Sequence, residues 1–140
     1  MNFTIIHLLG VSMKTLIVED EPVTRIFYEK LFSEYGPTVG VGTAEEAEQL
    51  IKKATSEGDP FDLICLDIKL PKMSGLELLH RLRAHNATCQ GGKSPKMLMV
   101  TAYGDLKYSS EAFAEGCDGY LVKPVDQVKI REKLKSLGFV

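Results

Sequence analysis

Five short apolar runs, at residues 15–18, 39–41, 61–66, 97–100 and 120–122, alternate with amphipathic stretches along this chain, and no other feature restricts its fold as much. Each run is bounded by turn or polar residues, and several are rich in Val and Ile, the pattern of buried strands. Helical spacing fills the intervals. Val23, Ile26, Phe27 and Leu31 recur at the i, i+3, i+4, i+8 spacing of one face of a first helix. Ala44, Ala47, Leu50, Ile51 and Ala54 do the same for a second, Leu76, Leu79 and Leu82 for a third, and Val128, Leu134 and Leu137 for a fifth. Five β–α units in a row imply a doubly wound α/β fold. Parallel strands need crossover connections, and the crossing helices cover both faces of the sheet.

Helix-start chemistry supports this division. Pro22 suits a first helical position, where its missing N–H costs nothing. Thr43 with Glu46, and Ser74 with Glu77, have the spacing of a capping box. A fourth helix is expected around residues 105–115, although Ala112, Phe113 and Ala114 form no clean stripe. Residues 85–96 are polar and Gly-rich and read as a long loop. The 140 residues suit one domain, with no internal repeat or linker. The opening dodecapeptide MNFTIIHLLGVS is apolar from Ile5 to Val11, too short to span a bilayer and without a clear small-residue cleavage site. Met13-Lys14 reads as a natural start. Residues 1–12 are therefore expected to be a leader or upstream extension outside the fold, and residues 13–140 the domain. No output module is expected after the fifth helix, and the lack of a targeting signal makes the cytoplasm the expected location.

Composition removes several functional classes. A net charge of −2, with Lys and Arg scattered, supplies no basic surface for nucleic acid, so no DNA-binding module is expected. Cys65, Cys89 and Cys117 make an odd count with no CxxC spacing, and His7, His80 and His85 complete no ligand pattern with them. This argues against a disulfide framework or a zinc site. Cys65 reads as a core residue and Cys89 as an exposed loop thiol.

In open parallel sheets ligands bind beyond the carboxyl ends of the strands. The residues that follow the apolar runs here are Glu19-Asp20-Glu21, Asp67, Thr101 and Lys123. Parallel strands would gather them at one edge. Close carboxylates repel, so one takes a proton or a cation sits between them. An all-oxygen site with water access suits Mg2+, with Mn2+ as a substitute. Asp67, closing the most apolar run, is the best nucleophile. Thr101 and Lys123 would hold phosphoryl oxygens, the positioning that phosphoryl transfer chiefly requires. Taken singly, an Asp after a strand is usually a turn or cap residue, Thr101 a strand-end hydroxyl and Lys123 a solvated charge. Coincidence at four strand ends is much rarer.

The sequence resembles the receiver domain of response regulators over nearly all of residues 13–140. The resemblance is carried by VEDE at 18–21, DLICLDIKLPKMSG at 62–75, MVTA at 99–102 and GYLVKP at 119–124. It implies a five-stranded sheet of order 2-1-3-4-5 and a two-component signalling role. Asp67 would take a phosphoryl group from a phosphohistidine on a sensor histidine kinase or histidine phosphotransfer protein, and an unidentified downstream protein would read the result. Asp20 would bind Mg2+ directly and Glu19 through water, with Asp67 and the Lys69 carbonyl completing the protein ligands. Thr101 and Tyr120 match the switch residues, Lys123 the phosphate-binding lysine, and the bond before Pro124 is expected to be cis. Lys69, Ala102 and Tyr103 flank the site, where they could gate a hydrolytic water. Glu19 in place of the commoner Asp and the long 85–96 loop are departures from the family pattern.

Other classes are also open at this level. A haloacid-dehalogenase-like phosphatase uses an Asp nucleophile and Mg2+, but wants a second Asp two residues on, where this chain has Lys69. A flavodoxin-like carrier would need a hydroxyl- and glycine-rich loop in place of Glu19-Asp20-Glu21. A receiver-like binding module that is never phosphorylated would not need the full constellation. The expected protein is a switch that at most phosphorylates and dephosphorylates itself, not an enzyme acting on other substrates.

Overall fold

The structure, a computed structural model, describes residues 12–88, 94–102 and 107–140. Strands β1 (Thr15–Val18), β2 (Thr38–Val41), β3 (Leu63–Asp67), β4 (Lys96–Thr101) and β5 (Gly119–Val122) alternate with five helices. These are α1 (Pro22–Ser33), α2 (Ala44–Ser56), α3 (Gly75–Thr88), α4 (Ser109–Ala114) and α5 (Gln127–Ser136). All four strand pairings are parallel, and the order is β2-β1-β3-β4-β5. Leader residues 1–11, His7, Cys89 and Tyr103 lie outside the described residues.

Alternation along the three central strands builds two cores. Leu16, Val18, Ile64, Leu66, Met97 and Met99 face α2, α3 and α4. Ile17, Leu63, Cys65, Leu98 and Val100 point the other way, toward α1 and α5. The period of two in a pleated strand dictates this division. Because both faces are covered, the central runs carry almost no polar residue until their carboxyl ends.

Capping follows the sequence closely. The Thr43 hydroxyl accepts the Glu46 N–H at 3.1 Å, and Ser74 accepts the Glu77 N–H at 3.1 Å. Pro22 opens α1, and the Glu21 carboxylate accepts from Val23 N at 3.2 Å and Thr24 N at 2.7 Å. Glu21 thus serves the helix rather than the acidic crevice in which the sequence grouped it. The hydrogen bonds from Thr24 and Val23 hold its carboxyl below the usual range.

Four expectations need correction. The apolar face of α1 is not the expected stripe. Tyr28, Leu31 and Phe32 are buried, whereas Val23, Ile26 and Phe27 are 74%, 52% and 49% exposed. This short helix carries more apolar residues than its sheet-facing side can hold. Burial of Leu31 and Phe32, worth about 1.5–3 kcal/mol each, sets its rotation. In α5, Ile130 and Leu134 are buried while Val128 is exposed. Helix α3 runs on to Thr88, into the expected loop, because no Gly or Pro interrupts the chain before Gly91. Finally, α4 is Ser109–Ala114, preceded by a 3-10 turn at 107–108, with residues 105 and 106 outside the described residues; it buries Ala112 alone, consistent with its missing stripe.

Candidate functional site

Strand register brings the predicted residues together. Val18 pairs with Leu66, so Glu19 and Asp67 leave adjacent strands side by side. Asp67 pairs with Val100, one residue before Thr101, and Thr101 pairs with Val122, one residue before Lys123. Four strands therefore deliver four polar side chains to one edge without any long loop to position them.

The Lys123 ammonium is the hub of this edge. Its Nζ donates to Glu19 Oε1 at 2.8 Å and to Asp67 Oδ2 at 2.9 Å. Burial alone would depress this ammonium, but the hydrogen bonds and charges of Glu19 and Asp67 outweigh it and hold Lys123 above the ordinary lysine range. Asp67 is 8% exposed, and its Oδ1 accepts the Lys69 N–H at 3.1 Å. Glu19 is buried and Asp20 exposed, and oxygens of Glu19, Asp20 and Asp67 lie within 4.8 Å of one another. Desolvation, followed by the hydrogen bond and charge of Glu19, raises the Asp20 carboxyl above its usual value, with Lys123 opposing.

Three carboxylates facing one ammonium keep a net negative charge, and every donor is oxygen. That set fits a hard divalent cation and not a soft one. Glu19, Asp20 and Asp67 would hold such an ion, with the charge excess as the reason.

Thr101 is fully buried, and its hydroxyl donates to the Ala102 carbonyl at 3.4 Å. Tyr120 is half-buried on the α4 side of β5, its ring 6.2 Å from that of the exposed Phe113. The Lys123–Pro124 peptide is cis. Tyr103 falls outside the described residues, so of the expected modulators only the exposed Lys69 and Ala102 are placed beside the site.

Several supporting residues have no role that the sequence assigns, although Gly75 closes the motif at 62–75. Lys129 Nζ reaches back from α5 to the carbonyls of Pro124 at 2.7 Å and Val122 at 3.3 Å, on either side of Lys123. Gly75 opens α3 with its N–H on Ile68 O at 2.8 Å, directly against the Asp67 backbone. Beneath the site Tyr28 is buried on α1, and its burial pushes the phenol up to about 12. A phenol with a raised folded pKa adds stability that is intact below its unfolded value of 10.0 and is lost as pH climbs toward about 12. Denaturant unfolding across that window is expected to show a steeper loss for the wild type than for Tyr28→Phe.

The comparisons with known proteins fit this geometry. The response regulator receiver domain family matches residues 15–135, which include every strand and all four strand-end side chains. The chain belongs to that family. This receiver domain is 36% identical over 134 residues to the two-component response regulator PhoP of Pseudomonas aeruginosa, covering 91% of this chain and 55% of that protein. It is 33% identical over 120 residues to the response regulator protein PilR of the same organism, covering 85% of this chain and 24% of PilR. Among solved structures, a receiver domain protein from Methanospirillum hungatei superimposes with a TM-score of 0.72 at 32% identity, over 90% of this chain and 93% of that one. The chain spans about half the length of the first curated relatives it matches. No helix among the described residues is long and apolar enough to cross a membrane.

Proposed function

We propose that Asp67 is the phosphoryl acceptor of this receiver domain and that Mg2+ is the cation its acids hold. The observation that carries this reading is the Lys123 ammonium, 2.8 and 2.9 Å from two members of a three-carboxylate group. A carboxylate oxygen of Asp67 attacks phosphorus, the P–N bond to the donor imidazole breaks with its electron pair leaving on nitrogen, and an acyl phosphate forms as the imidazole takes a proton from solvent. Lys123 moves its hydrogen bond from the Asp67 carboxylate to a phosphoryl oxygen. It is held ready for this by Lys129, which fixes the carbonyls on both sides of it. Glu19, buried with its N–H bonded to Val41 O, aims its carboxylate into the crevice, where Oε1 accepts from Lys123. When bound, Mg2+ neutralises charge on the phosphoryl oxygens. No second Asp stands where a haloacid-dehalogenase-like phosphatase needs its acid, since that position is the exposed Lys69.

The switch follows from charge. The phosphoryl group brings strong acceptor oxygens, toward which the Thr101 hydroxyl turns from Ala102 O. Tyr120 then rotates into the vacated space. The face of α4, β5 and α5 is reshaped for a downstream protein through a shift between pre-existing states. The donor is a sensor histidine kinase or histidine phosphotransfer protein, and the exposed Val23, Ile26 and Phe27 beside Asp20 offer it an apolar landing surface.

Incubation with acetyl phosphate and Mg2+, followed by intact mass and peptide mapping, tests the assignment. One phosphoryl adduct on Asp67, absent in EDTA, is expected. Multiple turnover of unrelated phosphoesters would overturn it in favour of a phosphatase. Phe27→Ser is expected to slow transfer from the protein donor found by phosphotransfer profiling by roughly tenfold or more, as loss of a central apolar contact does. Uptake from acetyl phosphate should stay unchanged, because the small donor needs no docking surface.

A further inference from the structure

We propose that Arg25 is a positioning residue for the acidic pair. It acts from one turn inside α1 on the main chain that carries Glu19 and Asp20. The inference rests on the reading that these acids hold Mg2+. The Arg25 Nη1 donates to the Glu19 carbonyl oxygen at 2.9 Å, spanning the turn from β1 into α1. The Arg25 N–H meanwhile makes an early helical bond, to Glu21 O at 2.9 Å. On its other side the Glu19 N–H donates to Val41 O at 3.1 Å. The Glu19 backbone is therefore pinned by β2 through its N–H and by α1 through its C=O, at the point where the chain leaves the sheet. Asp20, the next residue and the exposed member of the three acids, takes its position from that pin.

The sequence makes room for this arm. Gly40 and Gly42 lie two residues apart at the end of β2, beneath Arg25. A Cβ at Gly42 would stand 3.1 Å from Arg25 Nη1. A Cβ at Gly40 would stand 3.0 Å from Arg25 Cγ and would overlap the Glu29 carboxylate one turn further along α1. Side chains at either position would press the guanidinium away from the Glu19 carbonyl. Neither glycine has a positive φ, so space and not backbone conformation is what they supply. The single bond from Nη1 requires a donor at the end of a long stem, which arginine supplies and lysine can approximate.

The test is calorimetric titration of Mg2+ into wild type, Arg25→Met, Arg25→Lys and Gly42→Val, with thermal unfolding of each in EDTA as a readout independent of metal. Arg25→Met, which keeps an apolar stem without a donor, is expected to bind Mg2+ roughly tenfold more weakly, the usual scale for groups that orient metal ligands. Arg25→Lys restores a donor and should return to within about threefold of wild type. Gly42→Val keeps the charge but crowds the guanidinium, and should fall between them; it carries the test if Arg25→Met does not fold. Equal affinity in wild type and Arg25→Met overturns the inference, as does a loss that Arg25→Lys fails to recover. Wild-type protein that binds no Mg2+ would instead overturn the functional reading, and this inference with it.

Discussion

Asp67→Asn takes up no phosphoryl group under conditions that convert the wild-type protein with acetyl phosphate and Mg2+. The substitution removes the attacking oxygen's charge and little else. The amide oxygen can still accept the Lys69 N–H now bound at 3.1 Å. Lys123 keeps its bond to Glu19 at 2.8 Å while losing the 2.9 Å partner. Loss of that ion pair opposes the relief of repulsion among three crowded carboxylates, and Lys123 keeps Glu19 as partner, so the cost should stay below the ~3–5 kcal/mol of an unpaired buried charge. Intact mass spectrometry reads the first outcome and thermal unfolding the second. A full-stoichiometry adduct on the variant would show that another group is the acceptor. Unfolding of the variant would show that the acids and Lys123 form a structural cluster first.

Gly75→Ala is expected to destabilise the domain by about 3 kcal/mol or more, and to impair phosphoryl uptake in the protein that remains folded. Its Cβ would overlap the Asp67 carbonyl oxygen, with the Asp67 carbonyl carbon at 2.9 Å and Ile68 Cα at 3.0 Å. All three are backbone atoms of the strand end that carries the acceptor, so no side-chain rotation can relieve the clash. Either α3 lifts away, exposing Leu78 and Leu79, or the Asp67 backbone shifts out of register with Val100. Both routes disturb the site. Urea denaturation gives the stability change, and a cost below about 1 kcal/mol would mean that the close approach of α3 to β3 is not a constraint.

Much of this protein is legible without coordinates, but unevenly. The strands were, because burial on both sheet faces leaves apolar runs that end abruptly at Glu19, Asp67, Thr101 and Lys123. Helix starts were legible where capping chemistry is local, at Thr43 and Ser74. The α1 face was not. Val23, Ile26 and Phe27 stood in the expected apolar set and Tyr28 and Phe32 did not, yet the latter two are buried; only the rotation of the helix on the sheet decides between them. Arg25 and Lys129 act through backbone groups of segments other than their own, and such pairings leave no pattern in side-chain spacing; Gly75 stands in the 62–75 motif, but its close approach to the Asp67 backbone is not legible there.

The opening alternation of five apolar runs with amphipathic stretches determined the layered α/β architecture and the edge at which chemistry would collect, since parallel pairing places all the strand ends there. The tertiary structure decided which acid does what. It turned Glu21 away to cap α1, left Asp20 open to solvent, and set Lys123 between Glu19 and Asp67. It also left an apolar face of α1 uncovered beside the site. The physical reason is that hydrophobic periodicity records how each element meets the sheet. Hydrogen bonds and charge contacts among residues far apart in the chain depend on register and helix rotation, which are fixed only when the elements pack.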